Sequence, residues 1–235
     1  MVGNVKRGFP CVHPASLLAA LLLAAPPATA LTPAELLGNG EYQRAFETAV
    51  GRGDARTASR AAAAMTEYRA GGRDWTARAV QAARQAVTAA PDSPDSHLAL
   101  GSALGLQARA GGYTLGALNT AQQARAALDR ALRLAPDRAD IQAVLAEWHA
   151  GAWVKAGVFS GGNTERARTL ATRAARAAPD SVFVQGHAGI SLALLKDPQA
   201  RAVLTRAAAL PATAALDRDV QAQVRTVLGT LPATD

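Results

Sequence analysis

The chain is poor in the residue types from which most enzyme sites and metal centres are built. Of 235 residues one is cysteine, Cys11, which lies in the first thirty. Everything after residue 30 is therefore without a disulfide, a thiolate-held metal or a cysteine nucleophile. Aromatic residues make up 4%, and no run of β-branched residues alternates with polar ones, so strands are not expected. Three of the 25 basic residues are lysine. The arginines are scattered and form no stripe, so the net charge of +7 does not spell a nucleic-acid site. Histidine is scarce as well: beyond residue 30 it occurs at His97, His149 and His187, 52 and 38 residues apart. That spacing puts no two of them on one helical face around a metal. There is no G-x-S-x-G, no phosphate loop and no G-x-G-x-x-G. Neither an enzyme nor a metal or other cofactor is expected.

What fills the sequence is alanine, with 59 residues, a composition that lets helix axes approach to roughly 8 Å. The alanines are periodic. Ala124, Leu128, Ala131, Leu132, Ala135 and Pro136-Asp137 stand at offsets 0, 4, 7, 8, 11, 12 and 13. Ala79, Ala83, Ala86, Val87, Ala90 and Pro91-Asp92 repeat those offsets, as do Ala167, Ala171, Ala174, Ala175, Ala178 and Pro179-Asp180. Such a stripe lies on one face of a 3.6-residue helix, and proline cannot extend it. Each copy therefore predicts a helix, a stop and another helix.

These stripes resemble the second (B) helix of the tetratricopeptide repeat (TPR), which runs Ala, large apolar, Ala, Pro with this spacing. The resemblance covers roughly residues 54–228. It implies an all-α fold, a right-handed α-solenoid of stacked antiparallel helix pairs. The prolines are 45 and 43 residues apart against about 34 in the standard repeat. Aligning Leu100-Gly101 and Leu145-Ala146 with the first (A) helix places the surplus in the A–B turns, at Arg109–Thr120 and Val154–Glu165. At two A-helix places where the family favours Trp and Tyr, this chain has His97 and Leu104, then Gln142 and His149.

Around the repeats, which should occupy 54–212, three further segments are expected. Lys6 and Arg7, the apolar run from Leu17 to Ala25 and Ala28-Thr29-Ala30 have the order of a secretory signal peptide over 1–30, removed after Ala30. Its nine apolar residues fall short of the about 20 needed to cross a bilayer. An exported protein of the periplasm or cell envelope follows, with a net charge of +5 once Lys6 and Arg7 are gone. Thr32-Pro33-Ala34-Glu35 is a capping box with proline at the first helical position, predicting one N-terminal helix within 31–53 that runs to about Val50. Asp54 and Asp74 read as caps of the first pair. Thr213–Leu228, within 213–235, alternates charged and apolar residues as does a polar-faced helix capping the open end of an array.

The resemblance also implies a concave groove lined by the A helices. Its groove-facing places fall on Leu98 and Ser102, Ala143 and Glu147, and Gly186 and Ile190. None is the Lys, Asn or Arg with which chaperone-adaptor TPRs clamp a C-terminal carboxylate, so that function does not carry over. The two long turns are a second candidate surface. One holds Tyr113, Leu115 and Leu118 beside Gly111-Gly112, the other Trp153, Val158 and Phe159 beside Gly161-Gly162. They form either a binding lip or a pair of loops buried against each other. The expected function is a non-enzymatic envelope scaffold that holds a protein or peptide partner in its groove and long turns. The layout is also similar to periplasmic TPR proteins linked to TRAP-type transporters, which makes a carrier of a small hydrophobic ligand the alternative. An open groove favours the first and a closed apolar tunnel the second. No nucleic acid and at most peripheral membrane contact are expected.

Overall fold

Capping residues in the sequence decide where most of the helices begin. In the computed structural model, which describes residue 1 and residues 30–232, Leu31–Asp235 forms one compact unit. The expected signal segment lies outside the described residues. The described residues contain eleven α-helices and no strand. They are α1 (Pro33–Asn39), α2 (Tyr42–Gly51), α3 (Ala55–Tyr68), α4 (Gly72–Ala89), α5 (Pro94–Ala110), α6 (Leu115–Leu134), α7 (Ala139–Ala156), α8 (Thr164–Ala177), α9 (Val182–Leu194), α10 (Ala200–Ala209) and α11 (Ala215–Thr230). A short 3-10 turn, Gly157–Ser160, follows α7.

Thr32 and Glu35 form the capping box that starts α1, with the Glu35 carboxylate accepting from the Thr32 amide at 2.7 Å. Asp54 caps α3 by accepting from the Thr57 amide at 3.0 Å. Asp74, by contrast, is no cap. The helix α4 already starts at Gly72, which leaves Asp74 in the first turn, where a carboxylate still suits the helix dipole. The single N-terminal helix expected from sequence is two. Gly40 takes φ +84° and ends α1, and a Cβ there would stand 2.8 Å from that of Ala215. The break turns α2 away at the point where the C-terminal helix comes close.

The first three positions of each periodic stripe are interior. Ala79, Ala83 and Ala86, Ala124, Leu128 and Ala131, and Ala167, Ala171 and Ala174 are all buried. Volume is conserved across each pair. Where the B helix carries a leucine the facing A helix carries glycine: a Cβ on Gly101 would lie 2.5 Å from Leu128 Cγ, and one on Gly189 would lie 2.7 Å from Leu204 Cδ2. Where the B helix carries Ala171 the equivalent residue is Ala146, in the same core cluster.

A second regularity is polar. His97, Gln142 and Gln185 stand six residues after Pro91, Pro136 and Pro179, and these three and Gln221 each reach back to the end of the preceding B helix. The Nε2 of Gln142 donates to Pro136 O at 2.7 Å, that of Gln185 to Ala175 O at 2.7 Å, and that of Gln221 to Leu210 O at 2.7 Å. His97 Nε2 is 2.7 Å from Pro91 O. A helix end leaves carbonyls without partners, and a buried donor satisfies them. On the outside, Arg130 binds Asp92 at 2.8 Å and Arg173 binds Asp137 at 2.6 Å. The same Pro-Asp turn thus takes an arginine from the next B helix.

Consecutive helices pack in pairs, α3 on α4, α5 on α6, α7 on α8 and α9 on α10, and the pairs touch through α4 on α5, α6 on α7 and α8 on α9. The surplus residues of the long units are mostly helical. They lengthen α5, α6 and α7 and leave short turns, contrary to the long loops expected. The last helix also departs from expectation. Besides α9 and α10, α11 packs on α1. The Tyr42 hydroxyl donates to Asp219, and Arg69 binds Asp219 at 3.0 Å.

Candidate docking surface and inner polar cluster

Glycine and a side-chain cap shape each of the two turns. Between α5 and α6, Gly112 takes φ +66° and Thr114 Oγ1 accepts from the Ala117 amide at 3.1 Å to start α6. Tyr113 and Leu115 are left 85% and 87% exposed. Between α7 and α8, Gly157 and Gly161 take positive φ. Gly162 lies so close to α7 that a Cβ there would meet Trp153 N at 2.6 Å and His149 O at 2.7 Å. Ser160 Oγ accepts from the Gly162 amide at 2.9 Å, and Arg125 of α6 donates to Gly161 O at 3.2 Å. This held turn leaves Val158 72% and Phe159 83% exposed, with Trp153 at the edge of exposure. The turns are neighbours: Lys155 Nζ donates to Ala108 O at 3.2 Å and stands 5.3 Å from the centre of the Tyr113 ring. The aromatics of the two turns are therefore presented outward, and the buried-loop alternative is not what the chain does.

The six groove places do not form one surface. Leu98, Ser102, Glu147 and Ile190 are half-buried. Ala143 is fully buried in a cluster with Ala174 and Val184. Gly186 is buried under α11, where a Cβ would meet Val220 at 2.5 Å and Val224 at 3.3 Å. Ala143 and Gly186 thus serve packing, and the fourth unit's part of the expected groove is covered by the chain's own last helix.

Glu147 instead belongs to a charged cluster drawn from five helices. Its carboxylate lies 2.5 Å from His187 Nδ1 of α9 and 3.8 Å from Arg109 of α5. Arg109 binds Glu67 of α3 at 2.9 Å, and Gln223 of α11 donates to Glu67 at 3.3 Å. More than half of the Arg109 side chain is accessible, so the cluster is open to solvent at that end. Burial alone would push the His187 pKa down, but Glu147 and, behind it, Glu67 outweigh this and hold it above the usual value. Burial likewise opposes ionised Glu147, and His187 and Arg109 hold its pKa below the usual range. The two are an ion pair whose linkage to stability has two sides. The Glu147 contribution is complete above pH 4.5 and lost as pH falls through its folded pKa. The His187 contribution is complete below pH 6.5 and lost as pH rises through its folded pKa. Sequence reasoning missed this pair. The signal was a lone acid at one A-helix groove place and a lone histidine on the next A helix, one turn away.

His187 Nε2 is buried without a hydrogen-bond partner, and the ion pair ties α7 to α9. Among the described residues no group of three or more His, Cys, Asp or Glu side chains could hold a metal. Two depressions lie elsewhere. One of about 660 Å³ is lined by Arg168, Arg173, Arg176 and Asp197, and one of about 590 Å³ by Gln81, Arg84, Gln85 and Gln107. Both are shallow and rimmed by polar side chains. No family model matches the chain, and no curated protein matches it.

Proposed function

We propose that the protein is a non-enzymatic scaffold of the cell envelope, built as a TPR-like right-handed solenoid of helix pairs, that docks through the paired turns between α5 and α6 and between α7 and α8. The observation that carries this reading is the near-complete exposure of Tyr113, Leu115, Val158 and Phe159 on two adjoining turns. Large apolar side chains clustered this way mark interaction sites. The equivalent positions of His97, Gln142 and Gln185, and the repeated Arg–Asp link, support a common unit for the repeats. The export step rests on the order of basic, apolar and small residues in 1–30. Docking at the turns takes the place of the groove, two of whose expected residues are interior. A carrier of a small apolar ligand needs an enclosed apolar cavity, and neither depression supports one.

The test compares the exported protein with a Tyr113→Ser, Phe159→Ser double variant. Both side chains are surface residues, so the melting temperature should move by less than about 2 °C. The fraction retained on the envelope after cell fractionation should fall severalfold. Unchanged retention, or a sharp fall in melting temperature with retention per folded molecule intact, overturns the docking reading.

A further inference from the structure

Protein interfaces draw most of their energy from a few anchors sunk into desolvated pockets. The four tip residues here have the opposite character. Tyr113, Leu115, Val158 and Phe159 stand on convex turns with 72–87% of their surface free, a shape that a deformable apolar phase accepts without a matching pocket. The turns are also stiff where they leave the helices. Thr114 caps one, and Ser160, Arg125 and the close approach of Gly162 hold the other, so the tips enter a partner phase without first being ordered.

Charge points to the same kind of partner. The segments 109–120 and 153–166 contain Arg109, Lys155 and Arg166 against one acid, Glu165. Arg166 is engaged by Asp129 at 2.6 Å. Lys155 lies between the turns, its ammonium over the Tyr113 ring, whereas Arg109 at the end of α5 is engaged by Glu67 at 2.9 Å and Glu147 at 3.8 Å, so Lys155 is the cation the tips present. A basic group beside an apolar, aromatic tip is an arrangement by which a peripheral protein sits at the boundary of headgroups and acyl chains. The cation meets lipid phosphates, and Trp and Tyr occupy the interface. No helix among the described residues is long and apolar enough to cross a membrane, so this attachment is a surface one.

We propose that the two turns are an anchor for an anionic membrane surface: Tyr113, Leu115, Val158 and Phe159 enter the interface, and Lys155 lies at the level of the phosphates. This rests on the docking reading above and names lipid, in place of a protein, as what the turns meet.

The experiment uses the compact unit Leu31–Asp235, so that the apolar run of the first thirty residues is absent. It is mixed with vesicles of phosphatidylcholine alone or with about a third phosphatidylglycerol. The anionic vesicles should bind it, and added salt should weaken binding, because surface charge is screened beyond roughly 10 Å at about 0.1 M. Tyr113→Ser with Phe159→Ser should reduce the partition coefficient by at least about tenfold, as loss of two interfacial aromatics implies. Val50→Ser, at an exposed apolar residue on α2, should leave it unchanged. In a Phe159→Trp variant, lipids brominated near the headgroup end of the chain should quench emission beyond the wild-type level. Equal binding by wild type and tip variant overturns the proposal. So does absence of binding to anionic vesicles, and if the tip variant still loses envelope retention in that case, a protein occupies the turns and the docking reading stands. If neither retention nor vesicle binding depends on the tips, both readings fall.

Discussion

Replacing Leu128 by alanine should lower the free energy of unfolding by about 2–5 kcal/mol, the range for truncating a buried leucine. Leu128 is 1% exposed on the stripe of α6 and packs directly over Gly101 of α5. The glycine brings the two helices close enough that the leucine fills the space a second side chain would take. Gly101→Ala alone should also destabilise, by about 1–3 kcal/mol, since its Cβ would overlap Leu128 and lie 3.1 Å from Ala124 O. The two changes together should cost less than their sum. The added methyl occupies part of the cavity, and the next unit already uses the alanine-on-alanine arrangement with Ala146 and Ala171 in one cluster. Urea unfolding of the four proteins measures the coupling. A Leu128→Ala change below about 0.5 kcal/mol, or strict additivity, would falsify this account of how the helix pairs pack.

His149→Leu should stabilise the protein, and the gain should grow in acid. His149 sits where the neighbouring units carry Leu104 and Leu192, and it is 2% exposed with neither ring nitrogen bonded. Burial, then the Arg166 charge and more weakly Arg125, push its pKa down to about 4, with Asp129 opposing. Its folded pKa is therefore below the unfolded value of 6.5. The unfolded chain takes up a proton between these values and the folded chain does not, so stability falls as pH falls through that window. The loss amounts to about 3 kcal/mol by pH 4, at about 1.4 kcal/mol per pH unit. At neutral pH the variant should gain about 1–3 kcal/mol from removing unpaired buried groups. Denaturant melts of both proteins at pH 7 and pH 4 test this. If the difference between them stays constant across that range, the histidine is solvated or paired and the argument fails.

The helices were legible in sequence because their signals are local. Three stripes of identical offsets, the Thr32–Glu35 box and the Asp54 cap each act within a few residues, and all appear at the expected places. What sequence could not yield depends on partners far along the chain. Gly40 reads as an unremarkable turn residue until Ala215 is brought against it. Gly186 reads as an open groove position because its place in the repeat says so, and only the return of α11 buries it. Ala143 was misplaced for a related reason: alanine carries no signal separating an inward face from an outward one when a quarter of the chain is alanine. The Glu147–His187 pair spans 40 residues and escaped a search for metal or base spacings within single helices. The exposed turns were half legible. Their composition marked them, but an aromatic beside glycines reads the same whether it is presented or packed.

The contact of α11 with α1 fixes the number of helix pairs. In an open array a unit is removed or duplicated at the cost of one interface, because each unit touches its neighbours alone. Here Asp219 must arrive at Tyr42 and Arg69 across 177 and 150 residues, and Ala215 must arrive at Gly40. Excising one pair, such as residues 94–138, should shift that arrival point and leave Asp219 unpaired, destabilising α1 and α2 although neither borders the deletion. Amide exchange in α2 faster than in the intact chain would reveal this, and unchanged protection would show that the ends are independent. Such a chain changes length only by changing both of its ends together.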